Sequence, residues 1–104
     1  MRKITCLLVL AAWAAIALPA EAKAQSVHSV AKQECREDRR QDPAEFRRDY
    51  GGTDAAALRR CVSEEKREAR RDCREERRDD PAEYRAEYGT GKAAFRRCVI
   101  DELR

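Results

Sequence analysis

The sequence predicts an all-α protein, built as two disulfide-stapled helical hairpin repeats that share one long central helix. Three observations lead there. The stretch DPAEF at 42–46 returns as DPAEY at 80–84. Cys35, Cys61, Cys73 and Cys98 sit at matched distances from those two stretches. The run from Ala55 to Asp79 contains neither Gly nor Pro, and no segment alternates apolar and polar residues as a half-buried strand would.

Residues 1–24 read as a signal peptide. Arg2 and Lys3 form a charged start, Ile4 to Leu18 is an uncharged apolar run of 15 residues, and Pro19 breaks it. Ala22-Lys23-Ala24 places small residues where a signal peptidase inspects, so cleavage is expected before Gln25. A membrane anchor is the competing reading, but the run is shorter than the roughly 20 residues a spanning helix needs. Cys6 is expected to leave with the peptide. The remaining chain, 25–104, is expected to be secreted or periplasmic, with no transmembrane segment.

Removing Arg2, Lys3 and Lys23 leaves 20 basic residues, and removing Glu21 leaves 19 acidic ones. The bulk field nearly cancels, so net charge by itself does not mark a nucleic-acid-binding protein. Large apolar residues are few: Val27, Val30, Phe46, Tyr50, Leu58, Val62, Tyr84, Tyr88, Phe95, Val99, Ile100 and Leu103. A core that small needs covalent staples. The even cysteine count in a short exported chain supplies them as two disulfides. Zinc is the rival, but there are no close CxxC or HxxxH pairs, and the only histidine, His28, is an isolated residue near the start of the mature chain. No metal or other cofactor is expected.

The elements follow in order. A first helix is expected over 27–41. Asp42 then accepts from the free N–H groups of a second helix over 43–50, with Pro43 at its first position and Glu45 completing a capping box. Gly51 closes that helix in the left-handed region. Thr53 is expected to cap the long helix, 54–79, about 39 Å in length. Asp80, Pro81 and Glu83 repeat the cap for a helix over 81–88, ended at Gly89. Thr90 is expected to cap the last helix, 92–103.

The match extends beyond the DPAE caps. CREDRRQDPAEFRRDYG at 35–51 matches CREERRDDPAEYRAEYG at 73–89 without a gap. GTDAAALRRCVSEE matches TGKAAFRRCVIDE after one residue is dropped. The chain reads as a tandem duplication with units at about 29–65 and 67–102 in one small helical domain, 25–104.

These residues resemble a short repeat of small exported bacterial proteins, CRxER … F-x-x-x-Y-G … A-F-x-x-C-V. The first copy matches at Cys35, Arg36, Arg39, Phe46, Tyr50, Gly51, Cys61 and Val62. The second matches at Cys73, Arg74, Glu76, Arg77, Tyr84, Tyr88, Gly89, Ala94, Phe95, Cys98 and Val99. Leu58 and Tyr84 stand where the pattern has Phe. The resemblance implies export and duplication; it implies no activity and transfers no functional residue.

Hairpin geometry selects the cysteine pairing. Cys35 lies seven residues before Asp42 and Cys61 eight after Thr53; Cys73 lies seven before Asp80 and Cys98 eight after Thr90. Each pair therefore sits at similar depth in an antiparallel helix pair, which predicts Cys35–Cys61 and Cys73–Cys98. Cys61 and Cys73 lie about 18 Å apart along one helix, too far to bridge. Cross-unit pairings stay open but have no such depth match. Each bridge is worth roughly 3–4 kcal/mol on the chain-entropy model.

Wound at about 100° per residue, with Cys61 at 0°, the long helix puts Cys73 at about 120° and sorts its charges by angle. Glu64, Glu65, Glu68, Asp72, Glu75, Glu76 and Asp79 fall between about 300° and 60°. Lys66, Arg67, Arg70, Arg71, Arg74, Arg77 and Arg78 fall between about 140° and 280°. Aligned like charges cost an isolated helix stability. Either outer-helix carboxylates such as Glu34, Glu37, Asp101 and Glu102 clasp the basic strip, or the strip meets an anionic partner.

Catalysis is not expected. Ser26, Ser29, Ser63 and His28 have no triad-like spacing, the cysteines are expected to be oxidised, and there is no Gly-rich phosphate loop. No small-molecule substrate is expected. Two readings remain. One is a non-catalytic scaffold or protein–protein interaction module at the cell envelope. The other is a polyanion-binding module for lipid headgroups, a cell-surface polymer or nucleic acid, using Arg67, Arg70, Arg71, Arg74, Arg77 and Arg78.

Overall fold

The computed structural model describes residues 25–104; the proposed signal peptide and Cys6 lie outside the described residues. Five helices follow one another: α1 (Val27–Gln41), α2 (Pro43–Tyr50), α3 (Ala55–Asp79), α4 (Pro81–Tyr88) and α5 (Gly91–Leu103). No strand occurs among the described residues. α1 and α5 pack on α3 and against each other; α2 closes the α1–α3 end and α4 the α3–α5 end. Arg104 donates to Gln25, joining the two ends of the described chain.

The caps explain the breaks. Asp42 Oδ1 accepts from the Glu45 amide at 3.0 Å, and Asp80 Oδ1 from the Glu83 amide at 3.1 Å. The backbone amides of Asp42 and Asp80 still donate to Asp38 and Glu76, so they close the preceding helix while their side chains open the next. The reciprocal half of the expected capping box is therefore not formed, because the amide it would use is already taken. Gly51 takes φ 79, ψ 11, the left-handed cap that a β-carbon would strain.

Two boundaries differ from expectation. Asp54, not Thr53, caps α3: its Oδ1 accepts from the Ala57 amide at 2.9 Å. The Thr53 carbonyl instead accepts from Arg39 Nη1 at 3.1 Å. α5 starts at Gly91, one residue earlier than expected, and Thr90 flanks it without a side-chain cap bond.

The bridges are Cys35–Cys61 and Cys73–Cys98, with Cα–Cα distances of 6.0 and 5.9 Å. Contacts on either side of each bridge run in opposite chain directions. Arg39 meets Thr53 while Cys35 meets Cys61; Arg77 lies over Phe95 while Cys73 meets Cys98. Both outer helices thus run antiparallel to α3. All four bridge cysteines are fully buried. Around them the core is made of small residues, Ala31, Ala57, Ala69 and Ala94, with Val30, Val62, Val99 and Leu103. Small side chains let helix backbones approach closely enough for a bridge. Phe46 plugs the first hairpin end, and Tyr84 and Tyr88 the second. Apart from the tyrosines Tyr84 and Tyr88, no polar or charged side chain is buried among the described residues, so no desolvated ion pair burdens this thin core.

Candidate functional site

α3, with 25 residues, is about 37 Å long and carries the molecule's charge asymmetry. The outer helices are bridged to it at Cys61 and Cys73, about 120° apart. The centre of the basic strip lies about 150° from the middle of that packing sector. Most of the strip therefore faces away from both outer helices; Arg77, at its edge nearest Cys73, lies over Phe95 of α5. Arg67, Arg70, Arg71, Arg74, Arg77 and Arg78 are all exposed, and Lys66 is half-buried.

The clasp by outer-helix carboxylates, one of the two readings, is not formed among the described residues. Among the described residues, Arg71 pairs only with its neighbour Asp72 at 3.9 Å, and Arg78 only with Asp79 at 3.5 Å. Glu34, Glu37, Asp101 and Glu102 form no ion pair with the strip. Their helices lie on the other side of α3, too far around its circumference. Arg67, Arg70 and Arg74, with Ser63 and Lys66, line a shallow groove of about 400 Å³. A second hollow of about 460 Å³ shares Ser63 and Arg67 and adds Arg59 and Arg60, so the basic surface continues toward the start of α3. Arg59 and Arg60 are basic residues that the charge sorting, begun after Cys61, did not reach.

Carboxylates gather on the opposite side. One cleft is lined by Asp72, Glu76, Asp79, Asp80, Glu83 and Glu102, among others. A second, on the first hairpin, is lined by Asp38, Asp42, Glu45, Asp49 and Glu65 with Phe46 and Tyr50. Burial, with Glu76, Asp72 and Asp101 nearby, pushes the Glu102 carboxyl above its usual range. Burial and Glu68 do the same to Glu65, partly offset by a hydrogen bond from the Tyr50 hydroxyl at 3.3 Å. The Tyr88 hydroxyl donates to Asp101 Oδ2 at 2.8 Å; burial and that carboxylate push its own pKa up.

Cys73, Glu76 and Cys98 bring their ligand-type atoms within 4.8 Å of one another. The two sulfurs are bonded to each other, however, so neither is a thiolate available to a metal. The 3.4 Å approach of Glu76 Oε2 to Cys98 Sγ is a contact, since a disulfide sulfur has no hydrogen to donate. His28 and Ser29 lie on α1 and Ser63 on α3, His28 and Ser63 both exposed.

The fold and its bridges define a doubly stapled helical protein with one acidic and one basic side. Comparison with protein-family models, with curated proteins and with solved structures finds no match. No helix of the described residues is long and apolar enough to cross a membrane.

Proposed function

We propose that the protein is an exported, non-catalytic interaction module of the cell envelope, and that its contact surface is the basic strip of α3. The observation that carries this is the exposure of Arg67, Arg70, Arg74 and Arg77 without a carboxylate from α1 or α5. A pure scaffold would gain by neutralising these aligned charges internally, since like charges at such spacing oppose the helix. This chain leaves Arg67, Arg70 and Arg74 turned to solvent and Arg77 exposed at the edge, over Phe95. The four span about 15 Å, enough to meet several phosphates or sulfates of a polymer or a headgroup surface at once. The two disulfides support export, because such bridges persist in oxidising compartments. They also fix the strip on a rigid rod, which lowers the ordering cost of binding.

The test is retention of the oxidised protein on heparin and on anionic vesicles across a salt series. Binding that weakens steeply with salt is expected. Equal retention on neutral and anionic vesicles, or no retention on either support at low salt, would contradict the proposal.

A further inference from the structure

The two sequence-matched units are not equivalent at one turn. In the first unit the turn before α3 is tied by its own groups. Arg39 Nη1 donates to the Thr53 carbonyl at 3.1 Å, Arg60 Nε to the Tyr50 carbonyl at 2.8 Å, and Asp54 caps the helix. The second unit lacks a counterpart of Gly52, and Gly91 stands where the first has Asp54. Gly91 has no side chain to cap with and takes φ 80. Thr90 makes no cap bond either. The leading amides of α5 are therefore without the carboxylate that α3 has. Arg77, the counterpart of Arg39, does not reach a turn carbonyl; it lies over the Phe95 ring, 5.4 Å from its centroid.

An open cleft of about 530 Å³ occupies this place. Pro81, Tyr84 and Phe95 give it carbon surface, and Arg77, Arg85 and Lys92 give it positive charge. No carboxylate lines it. Tyr84 stands where the first unit has Phe46; it is 7% exposed, and its hydroxyl meets no partner. A buried unpaired hydroxyl is unfavourable, and phenylalanine would avoid that cost. Uncapped helix amides and cationic side chains thus border one carbon-walled cleft, with the unpartnered Tyr84 side chain in its wall.

We propose that this cleft binds a small organic carboxylate with an apolar or aromatic body. The carboxylate takes the place of the missing Asp side chain at the start of α5, where the helix dipole favours an anion. Arg85 and Lys92 flank it. The body lies on Phe95 and Pro81, beside the guanidinium already stacked there. The volume falls within the range of small-molecule sites. An extended polyanion suits this place less than the α3 strip, because the walls are carbon.

The experiment is an amide NMR titration of the oxidised protein with phenylacetate. Saturable shifts are expected at Gly91, Lys92 and Phe95, with a Kd on the order of 1 mM. Phenylacetamide, which lacks the charge, and acetate, which lacks the body, should each bind at least tenfold more weakly. Replacing Gly89-Thr90-Gly91 by the first unit's Gly-Gly-Thr-Asp supplies the missing cap. It should leave thermal stability unchanged or higher while lowering affinity at least tenfold. The exposed pair Arg85→Gln and Lys92→Gln should lower affinity similarly without unfolding the protein. Absence of saturable shifts up to tens of millimolar, or equal affinity for phenylacetamide, would overturn the proposal. So would shifts confined to Ser63–Arg74, or wild-type affinity in the Arg85/Lys92 variant.

Discussion

Removing one bridge measures how much of this fold is held covalently. Cys35→Ala with Cys61→Ala opens a loop of 26 residues and leaves the second bridge intact. The chain-entropy relation gives about 3.5 kcal/mol for a loop of that size. Alanine is the right replacement, because serine would bury a hydroxyl in a site with no partner and add an unrelated cost. The sulfurs removed are fully buried, so the small void left behind adds to the loss. For a domain of this size each kcal/mol is worth roughly 4–8 °C, so the melting temperature should fall by roughly 15–30 °C. Helix signal against urea, for wild type and the alanine pair, reads the difference directly. The Cys73→Ala with Cys98→Ala pair should lose nearly the same amount, since its separation is 25. A loss below about 1 kcal/mol in either variant, against the entropic term, would refute the reasoning. It would mean that the alanine- and valine-rich core holds the outer helices unaided.

Three smaller effects follow from the same structure. Asp54→Ala should cost about 1 kcal/mol in thermal unfolding, because it removes the cap on Ala57, whereas Thr90→Ala should cost almost nothing. Tyr88→Phe should cost about 1 kcal/mol through the lost bond to Asp101, read by the same unfolding curves. Asp38, Glu65 and Glu102 have carboxyl pKa values raised in the folded state, so folding takes up protons there. Their contribution to stability is full below the ordinary carboxylate pKa and is lost as pH rises through the raised values. Melting temperature should therefore rise as pH falls from neutral toward the upper carboxylate range. Glu102→Gln should raise it at neutral pH and flatten that slope; a steeper slope would count against the account.

The helix boundaries were readable because Asp-Pro-Ala-Glu joins a stop and a start in four residues, and the bridges because hairpin depth fixes which cysteines can meet. The choice between Thr53 and Asp54 as cap was not readable. Both residue types cap well, and the structure places Asp54 at the cap while the Thr53 carbonyl accepts from Arg39, 14 residues away in the chain. The angular sorting of Arg67, Arg70 and Arg74 was visible from periodicity. Whether Glu34 or Glu102 could reach round to them depended on where α1 and α5 dock, which the sequence implied only through the cysteine angles. The cleft by Phe95 was hidden for a different reason. A one-residue gap in an alignment says nothing of which donors it leaves unpaired. That became visible only with Arg77 over a ring instead of on a carbonyl.

The central claim is that the strip on α3 is a contact surface, and one variant tests it most directly. Changing Arg67, Arg70, Arg74 and Arg77 together to Gln keeps good helix formers at exposed positions and relieves like-charge repulsion. Its melting temperature should match or exceed that of the wild type. Four phosphate-like contacts give a slope of about −2.8 to −3.6 in log affinity against log salt, hence a roughly 50- to 150-fold loss between 50 and 200 mM for the wild type. The variant should lose binding to heparin or anionic vesicles and, with it, that slope. Wild-type affinity and slope in a folded variant would contradict the account.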